Sequence, residues 1–81
     1  MAADLQTIVR SLIAKHFDLA EGEVDFAMRI EDAGDSLKLS ELVIALEQRL
    51  GIRLPDSALA RVRTLGDLWE LVQSKVGPSG T

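Results

Sequence analysis

Residues 34–50 read Gly34-Asp35-Ser36-Leu37-Lys38-Leu39-Ser40-Glu41-Leu42-Val43-Ile44-Ala45-Leu46-Glu47-Gln48-Arg49-Leu50, and Gly51 follows. Leu39, Leu42, Val43, Leu46 and Leu50 recur at helical spacing and form one broad apolar stripe. Lys38, Glu41, Gln48 and Arg49 fall largely off it. The stretch predicts a helix over 36–50 that needs an apolar partner, closed by Gly51, a residue that takes the left-handed backbone of a helix C′ position without strain.

Such partners lie on both sides. Upstream, Leu5, Ile8, Val9, Leu12 and Ile13 recur at helical spacing and Phe17 extends the stripe, which predicts a helix over 4–17 with Asp4 as N-cap. Downstream, Leu54 and Pro55 interrupt the period, and Asp56 or Ser57 can cap a short helix running to Val62 with Leu59 and Val62 inward. Thr64 with Asp67 three residues on has the form of a capping box with the shorter acid, and Leu65, Leu68, Trp69, Val72 and Val76 then repeat as a last helix. On that stripe Trp69 reads as a core residue.

Between the first two long helices, the helical period disappears. Val24, Phe26, Met28 and Ile30 alternate with charged or small residues, and no second alternating run exists to pair with them as a strand. The segment therefore reads as an extended loop whose apolar side chains press onto the helices. A connection of this length inside a compact domain is commonly functional. The predicted fold class is all-α: a four-helix bundle of three longer helices and one short helix, with a long loop between helices 1 and 2. Residues 1–76 form the domain, and 77–81 (Gly-Pro-Ser-Gly-Thr) have the composition of a flexible tail.

Composition narrows the function. The chain has 81 residues, of which 47% are hydrophobic and 27% charged, enough apolar material for one core and too little chain for a two-domain enzyme. It has no cysteine and a single histidine, His16, so neither a disulfide framework nor a Cys/His zinc site can be assembled. The net charge of −4 argues against a nucleic-acid binder, and no run approaches a membrane span, so the reading is a cytoplasmic protein; a monomer is expected beside it. The acidity is concentrated: residues 18–35 carry seven acids against Arg29 alone.

One constellation carries chemistry, the serine of Gly34-Asp35-Ser36-Leu37 where the acidic loop turns into a helix. Serine and aspartate are both favoured helix caps, so a plain N-cap is one reading. A helix N-terminus also favours negative charge, so a phosphate ester on Ser36 would be stabilised there. The same tetrapeptide is the nucleophile motif of lipase-like serine hydrolases. Those enzymes are longer α/β proteins that need a histidine base near the C-terminus, whereas His16 lies upstream of Ser36 on another helix.

The joint pattern is more specific. Asp35-Ser36-Leu37, Glu41-Leu42-Val43-Ile44-Ala45-Leu46-Glu47, the Gly51-Ile52-Arg53-Leu54-Pro55-Asp56 junction and Thr64-Leu65-Gly66-Asp67-Leu68 together resemble the acyl and peptidyl carrier proteins over about residues 5–76. The resemblance implies that Ser36 is esterified by 4′-phosphopantetheine, taken from coenzyme A by a phosphopantetheinyl transferase that uses magnesium. It implies no catalysis by the chain itself, which would carry acyl groups as thioesters between synthase enzymes. It further implies that the helix after Ser36 is the partner-docking surface, with Leu37 and Ile44 as apolar contacts and Asp35, Glu41 and Glu47 facing basic partner residues.

Two departures from the family pattern bear on the local turn and the pathway. The glycine common two places before the aspartate is Ala33 here, with Gly34 next to Asp35. Lys38 and Arg49 bring the 36–50 helix to net zero, where fatty-acid carriers are strongly acidic. Lys38, Arg49 and the modest net charge favour polyketide or another specialised acyl synthesis over housekeeping fatty-acid synthesis. The alternatives are a peptidyl or aminoacyl carrier of nonribosomal peptide synthesis, or a small helical interaction module without cofactor in which Ser36 is only a cap.

Overall fold

The structure, a computed structural model, describes residues 4–76. The 77–81 tail expected from the sequence lies outside them. Five α-helices follow one another: α1 Leu5–Phe17, α2 Ile30–Ala33, α3 Ser36–Leu50, α4 Asp56–Leu59 and α5 Leu65–Val76, with a 3₁₀ turn at Glu21–Glu23. No strand occurs among the described residues, so the all-α expectation holds.

The three long helices supply the core. Val9, Ile13 and Phe17 of α1, Leu42 and Leu46 of α3, and Leu65, Leu68 and Val72 of α5 are buried in one cluster. Each such side chain removed from water favours folding by about 1.5–3 kcal/mol before entropy is counted. The α1 stripe centres on Val9, Ile13 and Phe17, with Ala14 joining it, while Ile8 is only half-buried. α1 ends at Asp18, whose left-handed φ of 57° lets the Leu19 N–H turn back to the Ala14 carbonyl at 2.9 Å. α3 ends at Gly51, with φ 66°.

The long connection is more structured than its polar sequence suggests. It contains the one-turn α2 and the 3₁₀ turn, where the sequence reading placed only loop. Its alternating residues do press inward: Val24 and Ile30 are buried, and Phe26 and Met28 pack against the core. Its missing partner is the start of α5. Ile30 N–H donates to the Arg63 carbonyl at 2.9 Å, Leu65 N–H to Met28 at 3.0 Å and Gly66 N–H to Phe26 at 2.7 Å. This makes a single antiparallel bridge, Arg29 to Thr64. The partner is not a strand but the Arg63 carbonyl and the free first-turn N–H groups of Leu65 and Gly66 in α5, so no second alternating run was needed.

Side chains clamp the same segment from the other side. Arg10 Nη1 donates to the Val24 carbonyl at 3.0 Å, and its guanidinium lies 5.0 Å over the Phe26 ring. Phe26 in turn stacks on Trp69, centroids 6.2 Å apart. Trp69 is therefore half-buried at the seam between loop and α5, not deep in the core as its stripe position suggests.

The region after α3 also departs from expectation. α4 is one turn, Asp56–Leu59, with Pro55 at the N-cap position. Asp56 is its first helical residue, not its cap, and two turn residues at 60–61 replace the rest of the predicted helix. At α5 the capping box forms as read: Thr64 Oγ1 accepts from Asp67 N–H at 3.0 Å, and Asp67 Oδ2 accepts from Thr64 N–H at 3.2 Å.

Candidate functional site: the serine at the start of α3

Three elements fix this serine. α2 closes with Gly34 N–H on the Ile30 carbonyl at 3.1 Å, Gly34 runs fully extended, and Asp35 opens α3. A side chain at Gly34 would collide with the buried Phe17 ring, since a Cβ there would come within 2.8 Å of Phe17 Cδ1. The glycine one place later than the family pattern is therefore the residue that lets the loop pass close to α1.

Asp35 is the N-cap. Its backbone is extended, and Oδ1 accepts from Lys38 N–H at 2.9 Å. Ser36 is the first residue of the helix proper, is exposed, and makes no side-chain hydrogen bond among the described residues. This corrects the reading of Ser36 as a cap: the preceding carboxylate already satisfies the first-turn donor that the hydroxyl would serve. The serine Oγ is left with no structural task, on the surface at the positive end of a four-turn helix.

Around Ser36 the predicted contact residues divide. Leu37 and Ile44 remain 66% and 52% exposed, the large apolar side chains left in solvent among the described residues. Seven positions apart, they share one face of α3. Asp35 and Glu41 are exposed on the same helix. Glu47 differs: it is half-buried, and Oε2 accepts from Leu54 N–H at 2.7 Å, fastening the α3–α4 connection. Lys38 places Nζ 3.7 Å from Asp18 Oδ2, across the end of α1.

Open clefts flank the serine. One, of about 470 Å³, lies between the end of the long loop, α3 and residues 60–63. The other runs along α3 and α4 over Leu39, Val43 and Leu59. Sequence reasoning did not find the arginines of the first cleft, Arg29 and Arg63, because only the Arg29–Thr64 bridge brings their two segments together. Among the described residues no cluster suited to a metal ion occurs, and no helix is long and apolar enough to cross a membrane.

An exposed serine without a hydrogen-bond partner, at the start of a four-turn helix, is suited to carrying a covalent arm. Residues 7–72 match the family described as "Phosphopantetheine attachment site". The chain is 35% identical over 77 residues to the acyl carrier protein of Phenylobacterium zucineum (strain HLK1), covering 93% of this chain and 98% of that protein. It is 34% identical over 70 residues to the acyl carrier protein of Treponema pallidum (strain Nichols), covering 84% of this chain and 90% of that protein. The chain belongs to the phosphopantetheine-attachment family of acyl carrier proteins. Its cofactor is 4′-phosphopantetheine.

Proposed function

We propose that Ser36 is the attachment residue and that the chain, itself not an enzyme, carries acyl intermediates on the arm as a cytoplasmic monomer. The observation that carries this reading is the division of labour between Asp35 and Ser36: the carboxylate caps α3 while the hydroxyl stays exposed and unbonded. The arm, when attached, supplies the thiol that bears the acyl group as a thioester. The chain's residues do the rest. Asp35 and the backbone of α3 fix the serine's position at the helix start, and the helix end favours the ester's negative charge.

Partners in this proposal are a phosphopantetheinyl transferase and the synthase enzymes that load and process the cargo. Leu37 and Ile44 would anchor them, with Asp35 and Glu41 setting register against basic residues. Glu47 would contribute at the edge, one carboxylate oxygen being engaged with Leu54. The charges of α3 cancel, Lys38 and Arg49 against Glu41 and Glu47, which supports partners of a polyketide or other specialised acyl synthesis over strongly basic fatty-acid enzymes.

The test is thioester formation. After the arm is installed, an acyl group supplied by an acyl-loading enzyme should add its mass, and neutral hydroxylamine should remove it. A loaded mass that survives hydroxylamine would contradict the carrier role. Equal turnover with fatty-acid elongation enzymes and with a housekeeping carrier would reverse the pathway preference.

A further inference from the structure

The cleft between the long loop, α3 and residues 60–63 has Ser36 on its lip and two arginines, Arg29 and Arg63, in its wall. They are not equivalent. Arg29 Nη2 is 3.1 Å from Glu31 Oε2, whereas Arg63 forms no ion pair among the described residues. Arg63 is nonetheless firmly mounted. Its carbonyl accepts from Ile30 N–H at 2.9 Å, and its own N–H donates to Asp67 Oδ2 at 3.1 Å, so the backbone is tied to the loop on one side and the α5 cap on the other. The side chain is exposed, and its charge reaches Asp67 without a side-chain ion pair.

The charge balance of this cleft is complete only while Ser36 is unmodified. Arg29 and Arg63 offset Glu31 and Asp35. A phosphodiester on Ser36 adds one negative charge beside Asp35, and with Arg29 already held by Glu31, Arg63 is the cation left to meet it. Guanidinium presents a planar pair of donors suited to two phosphate oxygens, a stronger match than an ammonium of equal charge. Ile30, Leu39 and Val62 also line this cleft and lend it apolar surface.

Resting on the assignment of Ser36 as the attachment residue, we propose that Arg63 binds the phosphodiester of the arm, seating its inner end in this cleft. The carrier would then set the arm's departure direction through its own side chain, independently of any partner enzyme.

The experiment compares apo and holo protein, with loading first verified by intact mass. The Arg63 Nε–Hε resonance should shift on conversion to holo, while that of Arg29 stays in place. The ³¹P resonance of the holo protein should move as salt is raised from low to high concentration, because screening weakens an exposed pair. Arg63→Gln, shown folded by circular dichroism, should lose that salt response, Arg63→Lys should keep part of it, and Arg29→Gln should keep it whole. An unshifted Arg63 resonance, an Arg29 shift in its place, or a salt response unchanged in Arg63→Gln would overturn the proposal. Failure of Ser36 to load would instead remove the attachment reading on which it rests, and the proposal with it.

Discussion

Gly34 lies flat against Phe17: a Cβ built on the glycine would sit 2.8 Å from Cδ1 and 3.0 Å from Cε1 of a ring that is 3% exposed. The ring cannot swing away, because Phe17 closes the core at the end of α1. Gly34→Ala should therefore destabilise the fold by about 1–3 kcal/mol, the usual cost of overpacking. Urea denaturation of apo protein measures it, and a change below about 0.5 kcal/mol would show that the loop relaxes freely.

Asp35 and Ser36 should respond unequally to truncation. Asp35→Ala removes the cap and should cost about 0.5–2 kcal/mol. Ser36→Ala removes a hydroxyl with no partner and should stay within about 0.5 kcal/mol of wild type. Parallel unfolding curves decide the point. A larger loss at Ser36 than at Asp35 would return the capping role to the serine.

Glu47 and Glu41 look alike in sequence but differ in structure. Glu47→Gln weakens a charge-assisted hydrogen bond to Leu54 N–H and should speed hydrogen exchange at that amide, with a loss of about 1 kcal/mol. Glu41→Gln, on an exposed face, should leave exchange untouched and lower only the association rate with a basic partner. Faster Leu54 exchange in both variants would argue against the specific bond.

The Asp67 carboxyl is held below its ordinary pKa chiefly by the backbone N–H groups of Arg63 and Thr64, with smaller contributions from the Thr64 hydroxyl and the Arg63 charge. A carboxylate with a folded pKa below its unfolded one stabilises above the unfolded value, about 3.9, and loses that contribution as pH falls through the folded value. Asp67→Asn should thus be less stable than wild type at neutral pH, with the gap closing as pH drops below about 4. Unfolding curves at several acidic pH values check this. A gap independent of pH would place the effect in packing.

The sequence made the helices legible because their stripes carry the burial: α3 matches its expected range, and the Thr64–Asp67 box forms as written. Less legible were features set by contacts between distant segments. Period-two alternation at Val24, Phe26, Met28 and Ile30 pointed to inward side chains, but not to the backbone bonds with the Arg63 carbonyl and the free first-turn N–H groups of Leu65 and Gly66 in α5. Glu47 read as a docking charge because its partner is a backbone N–H seven residues on, which no side-chain pattern announces. At the site, Asp35-Ser36 left the cap ambiguous, since either residue type can serve, and only backbone geometry assigns it to Asp35.

The central claim, that Ser36 receives the arm, is tested most directly by intact mass after incubation with coenzyme A, magnesium and a broad-specificity phosphopantetheinyl transferase. The account predicts a gain of one phosphopantetheine on the wild type and none on an equally folded Ser36→Ala. A gain on the variant, or none on folded wild type with a second transferase, would contradict it.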